Sequence, residues 1–162
     1  MSIYSVDKLI AEARRLAREY RQATGKTLAI TGELAISDAI RLLQMTAAAE
    51  AHSAVDAELD YQGRKLLVQI KGRAIVNARR SGHRLGQLKL DQDWDAIVLV
   101  IMDADFEPRE IYLAGREEIQ QSVYNSKSKR GSISVARFKI IGKLLWSEEN
   151  GIEDKEYWSN SD

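Results

Sequence analysis

From Val6 onward, Leu9, Ile10, Ala13, Leu16, Ala17 and Tyr20 recur at the spacing of one helix face, with Ser5 placed to cap the start and Gly25 to end it. The pattern predicts an N-terminal helix over 5–24 with an Arg-rich outer face. A second helix is expected from Thr31, the expected cap, through Leu34, Ala35, Ala39, Leu42 and Leu43, which puts Glu33 in its first turn. The Ala-rich stretch 45–53 reads as a helix tail and loop. Val55, Ala57, Leu59 and Tyr61 then alternate with Asp56, Glu58 and Asp60; Gln62-Gly63 follows, and a second alternating run extends from Arg64 to Lys71. Period two on both sides of a short Gly turn predicts a β-hairpin. In its second strand Leu66, Val68 and Ile70 share one face, and Leu67, Gln69 and Lys71 the other.

Residues 72–90, with three glycines, read as a loop with at most one turn of structure, and Asp95–Met102 is an unbroken aliphatic run of the kind buried on both faces of a sheet. Trp94, just before it, is expected in the core. A strand over Glu110–Ala114, a helix over Arg116–Tyr124 and a Ser/Lys/Arg/Gly loop over 125–134 follow. Val135, Phe138, Ile141, Leu144 and Leu145 recur at helical spacing, which predicts a C-terminal helix over 134–147 interrupted only by Gly142. The polar, acidic stretch 151–162 is expected to fray. This order predicts an α/β protein with a central mixed β-sheet flanked by helices, its single domain spanning 1–150 with a core over 30–125.

Composition narrows the chemistry. The 162 residues suit one domain with a real core, and with no Cys both a disulfide framework and a Cys-based zinc site are excluded. The two histidines, His52 and His83, cannot build a His-rich metal centre alone, so a metal would sit on carboxylates and amides. His52 reads as a loop residue, and His83 as a contact to phosphate or solvent. The longest apolar run is too short to cross a bilayer and the N-terminal residues lack the layout of a secretion signal, so a cytoplasmic location is expected.

Charge changes the picture more. Lys plus Arg and Asp plus Glu both total 24, yet residues 61–90 carry eight basic side chains and no carboxylate, and residues 119–147 carry six and none. Residues 91–118 reverse this, with nine acidic side chains against two basic. Two carboxylate-free stretches between acidic ones fit a phosphate-facing track, unless they neutralise the acidic stretches in space.

Four polar residues stand where polar groups need a reason: Glu33 on the second helix, Asp56 on the first hairpin strand, and Gln69 and Lys71 on the second. If Gln62 and Gly63 form a two-residue turn, Tyr61 pairs with Arg64 and Asp56 lies opposite Gln69, so that Asp56, Gln69 and Lys71 converge on one face. A three-residue turn sets Asp56 opposite Ile70 and scatters the group unless a bulge repairs it.

With Gly32-Glu33-Leu34-Ala35 on an early helix, Val55-Asp56-Ala57-Glu58 on a strand and a closing Gln69-Ile70-Lys71, the sequence resembles the PD-(D/E)xK nuclease superfamily over about residues 30–115. The likeness is to its small bacterial or phage-type members, here with Gln in place of the usual acid. The resemblance implies a restriction endonuclease-like core and hydrolysis of phosphodiester bonds in nucleic acid, DNA being the expected partner, with Mg²⁺ as cofactor and Mn²⁺ as its substitute. It also implies Asp56 as the central metal ligand, completed by the Gln69 side-chain oxygen, the Ile70 backbone carbonyl and Glu33, with Lys71 orienting or deprotonating the attacking water. A homodimer would let two sites address both strands. The amide at Gln69 lowers the charge offered to a metal, which leaves a non-cleaving nucleic-acid-binding or self-associating domain on the same fold as the alternative. Arg73, Arg79, Arg80 and Arg84 in the first basic stretch, and Lys127, Lys129 and Arg130 in the second, are the expected contacts to a nucleic-acid backbone. The tryptophans are too scattered for a base-stacking platform.

Overall fold

A computed structural model describes residues 5–48, 54–75, 83–86, 88–125 and 132–154. Helix α1 spans Val6–Thr24; Ser5 Oγ accepts the Lys8 N–H, and Gly25, at φ 75°, closes the helix in the left-handed conformation. Helix α2, Thr31–Leu43, begins where expected, but the cap position is Ile30 and no side chain caps it, so Thr31 is the first helical residue rather than the cap. Instead of a helix tail, Thr46–Ala47 forms a short strand, β1; residues 49–53, with His52, lie outside the described residues.

Strands β2 (Ala57–Tyr61) and β3 (Arg64–Ala74) form the hairpin. Tyr61 pairs with Arg64 across a two-residue turn in which Gln62 (φ 51°) and Gly63 (φ 74°) both take positive φ, the geometry that matches the twist of the two strands. Strand β4, Ala96–Met102, is buried at every position and pairs with β3 in parallel. Its neighbour β5, Pro108–Gly115, leads directly into helix α3, Arg116–Asn125.

The C-terminal half departs from the helical expectation. Helix α4 covers only Val135–Ile141, and Lys143–Ser147 is a strand, β6, antiparallel to β5. The break is at Gly142, where a Cβ would stand 2.8 Å from the Phe138 carbonyl oxygen and 3.1 Å from that of Leu113, so only glycine lets the chain turn from helix into sheet there. Nor does the tail fray at its start. Gly151–Ile152 adds strand β7, and the buried Asp154 accepts the Tyr61 hydroxyl at 2.8 Å and pairs with Lys143 at 3.1 Å. Residues 155–162 lie outside the described residues.

The described residues thus form four helices and a seven-stranded, strongly curled mixed sheet in which every strand lies beside its neighbours in sequence. Among the described strands only β3 and β4 are parallel. Two cores result, one on each face. Val68, Ile70, Val98 and Val100 pack with Ala17 of α1 and Leu34, Ala35 and Ala39 of α2, whereas Ile97, Leu99 and Ile101 pack with Trp94, Leu85 and Leu88 of the β3–β4 crossover, Ile119 of α3 and Phe138 of α4. Alternation along β3 therefore points Gln69, Lys71 and Arg73 to the second face, as the sequence pattern requires. No described helix is long and apolar enough to cross a membrane.

Helix α1 is held by one buried ion pair. Arg14 donates to Asp38, which is 1% exposed on α2, at 2.5 Å, and to the Phe106 carbonyl at 2.8 Å in the β4–β5 turn. One guanidinium thus ties two helices to the sheet.

Candidate functional site

The group of interest sits where β2 gives out and β3 continues. Asp56 precedes the first residue of β2, and its N–H reaches the Val68 carbonyl at 2.9 Å, the residue already paired with Ala57, so the one-to-one register ends there. Past that point the edge of β3 has no strand partner among the described residues, and the Asp56 carboxylate takes the role: Oδ2 accepts the Ile70 N–H at 2.8 Å. A residue's N–H and C=O lie on the same edge of an extended strand, so the Ile70 carbonyl lies on the edge that Asp56 covers.

Gln69 is 3% exposed. Its Nε2 donates to the Ala54 carbonyl at 3.4 Å, while its Oε1 is buried with no hydrogen-bond partner among the described residues. A buried amide oxygen without a donor forfeits the hydrogen bonds it made to water, a loss of about 1–3 kcal/mol that folded proteins usually avoid. Two residues on, Lys71 shares the face and lies within Coulombic reach of Asp56. Burial pushes its pKa below the usual lysine value, the charges of Lys89 and Arg73 push it further, and Asp56 pulls it back. Lys89, which sequence reasoning did not single out, is brought here by the crossover: its carbonyl accepts the Trp94 indole N–H at 2.9 Å and the Gln92 N–H at 3.0 Å, and the neighbouring Leu88 is fully buried.

Glu33 is not brought to this group. Helix α2 meets the sheet through Thr31 and Ala35, which would touch a Cβ placed on Gly72 of β3, and a residue two positions from each lies about 200° around the helix. Glu33 is exposed and lines a groove between α1 and α2 with Asp7, Ile10 and Ile36, on the face of the sheet opposite Gln69 and Lys71. Gly72 is what allows this close seating, because its Cβ would fall 2.5 Å from that of Ala35.

Of the expected backbone contacts, Arg73 is partly buried; its Nε donates to the Arg84 carbonyl at 2.6 Å and its Nη1 to the Gly72 carbonyl at 2.7 Å. Arg84 is exposed and binds Ser132 through two of its nitrogens. Arg79, Arg80, Lys127, Lys129 and Arg130 lie outside the described residues. His83, of intermediate exposure, has its Nε2 buried and without a hydrogen-bond partner among the described residues. Trp94 is core, 2% exposed, with the Arg116 guanidinium 4.4 Å from its ring centre.

Asp56, Gln69 and the Ile70 carbonyl offer hard oxygens at neighbouring positions. Among the described residues no three Asp, Glu, His or Cys side chains cluster to hold a metal. Such a set suits Mg²⁺ rather than a tighter-binding transition metal, since Mg²⁺ uses one or two carboxylates and keeps water and substrate phosphate as its other ligands. No protein-family model matches the sequence, and comparison with curated proteins finds no significant match.

Proposed function

We propose that this protein is a metal-dependent nuclease-like protein that hydrolyses phosphodiester bonds in nucleic acid, on a restriction endonuclease-like core. The observation that carries the reading is the buried, partnerless Gln69 Oε1 two positions from Lys71 and next to the strand edge held by Asp56. Asp56, Gln69 and the Ile70 carbonyl would hold Mg²⁺, which when bound offsets charge on a phosphate and lowers the pKa of water. Lys71, with its ammonium disfavoured by burial, is in the neutral amine form more often than an exposed lysine and is suited to orient or deprotonate the attacking water. Lys89 and Arg73 add positive charge beside it, which favours an oxyanion. Glu33 has no part in this chemistry.

A non-cleaving nucleic-acid-binding domain is the second reading, favoured by the single carboxylate that remains once Glu33 is removed from the set. A panel of single-stranded, duplex and branched DNA and RNA, incubated with Mg²⁺ or Mn²⁺, separates the two. Metal-dependent cleavage by the native protein, lost at least a hundredfold in Asp56→Asn and Lys71→Met, establishes the first. Binding without cleavage of any substrate establishes the second, and neither binding nor cleavage overturns both.

A further inference from the structure

The two carboxylate-free stretches meet. Arg84 and Ser134 form an antiparallel bridge; the Leu85 N–H donates to the Ile133 carbonyl at 3.0 Å and the Val135 N–H to the His83 carbonyl at 2.8 Å. This junction forms one wall of a cleft of about 300 Å³ lined by Arg84, Ser122, Asn125, Ile133, Ser134 and Arg137.

Both guanidinium groups in the cleft are held by neutral partners. Arg84 donates through Nε to Ser132 Oγ at 3.2 Å and through Nη2 to the Ser132 carbonyl at 2.8 Å; Arg137 donates through Nε to Oγ of Ser122, itself 4% exposed, at 3.1 Å. Neither has a carboxylate partner, and no acidic side chain lines the cleft, among the described residues. Arg14, Arg15, Arg41 and Arg109, by contrast, all pair with Asp or Glu. Two fixed guanidinium groups with neutral tethers and unused N–H groups are suited to an oxyanion with several acceptor oxygens. The cleft is also tied to the candidate site, because Arg73, two residues and roughly 7 Å along β3 from Lys71, donates to the backbone carbonyl of Arg84.

We propose that the Arg84–Arg137 cleft seats a backbone phosphate of a nucleic-acid strand, a second attachment point for the strand that passes Asp56 and Lys71. The assignment rests on the proposed nuclease-like reading for its polymer ligand, but the cleft needs no metal. It makes Arg137, on α4, a binding residue that the charge pattern alone did not distinguish.

The test is fluorescence anisotropy with a labelled oligonucleotide, with and without a 5′-phosphate, in EDTA and over a salt series. Arg137→Gln and Arg84→Gln should each weaken binding about tenfold and flatten the dependence of log K on log salt by about 0.7 for a single strand. Arg137→Lys should restore most of the salt slope and part of the affinity. Ser122→Ala, which removes the tether and keeps the charge, should cost less than Arg137→Gln, and thermal melts show whether each variant is folded. Native-like affinity and slope in folded Arg137→Gln and Arg84→Gln overturn the proposal, as does an absence of oligonucleotide binding by the native protein. Equal loss with and without the 5′-phosphate supports a backbone seat; loss confined to the phosphorylated strand, or competition by inorganic phosphate at equal concentration, reassigns the cleft to a terminal or free phosphate and overturns it. Weakened binding in these variants without any cleavage by the native protein keeps the cleft and removes the nuclease. Cleavage abolished by Asp56→Asn beside unaltered binding in the arginine variants does the reverse.

Discussion

The Asp56 carboxylate accepts the Ile70 N–H at 2.8 Å, where β2 has ended and β3 has not. One oxygen of the residue proposed to hold a metal is therefore already part of the sheet. Asp56→Ala leaves that N–H without its partner and is expected to cost about 1–3 kcal/mol of stability. Asp56→Asn keeps an acceptor oxygen and should stay within about 1 kcal/mol of the native protein, while losing metal-dependent cleavage as fully as the alanine variant. Urea unfolding of both variants beside the cleavage assay separates the structural role from the chemical one.

Gln69 is the position at which the donor set is weakest in charge. Gln69→Glu places a second carboxylate beside Asp56, so Mg²⁺ should bind about tenfold or more tightly and cleavage should saturate at lower metal concentration. Without metal the same variant should be less stable than the native protein, since a charge replaces a buried neutral amide. Isothermal titration with Mg²⁺ and melts with and without the ion test both halves; a variant indifferent to Mg²⁺ would remove Gln69 from the site.

The hairpin was legible because alternation, a Gln-Gly turn and β-branched residues all agree there, and the pairing of Tyr61 with Arg64 follows from them, but the register breaks before Asp56, which bonds to Val68 and Ile70 instead of lying opposite Gln69. Glu33 was misplaced for a different reason. Its position near the start of α2 could be read from the sequence, but its direction depends on which stripe of α2 meets the sheet, and that is fixed by the contact of Thr31 and Ala35 with Gly72. Residues 135–147 misled because five apolar positions fit a helical period equally well when the first three belong to α4 and the last two to β6. The cleft at Arg137 was hidden because it depends on a bridge between segments some fifty residues apart in sequence.

Lys71 gives the site a pH signature. Its pKa in the folded protein is lowered from 10.5, so the unfolded chain binds more protons between the two values. Stability should accordingly rise with pH from the lowered pKa up to 10.5, and Lys71→Met should remove that rise. With Lys71 acting as a base, the cleavage rate should climb to a plateau on the alkaline side at a midpoint below 10.5. A rate that falls through the same range would assign the charged ammonium the working role.

Away from the site, the Arg14–Asp38 pair should dominate the seating of α1. Asp38→Ala leaves the Arg14 guanidinium partly buried without its principal counter-charge and is expected to destabilise the fold by about 3–5 kcal/mol. Asp38→Asn, which keeps one acceptor, should cost less. Denaturant unfolding reads both, and changes under 1 kcal/mol in each would show that the pair is not needed to hold α1.

The chain-order arrangement of the strands also bears on how the molecule assembles. Antiparallel neighbours joined by short connections pair through local contacts, which form early and cheaply. Two pairings must wait for a long connection to close: β3–β4 across residues 75–95, and β5–β6 across residues 116–142. The slow steps of folding should therefore be the closures of these two segments, which carry Arg84 and Lys89 in one and Arg137 in the other, and a polyanion that neutralises their repelling charges should speed refolding as well as bind the finished protein.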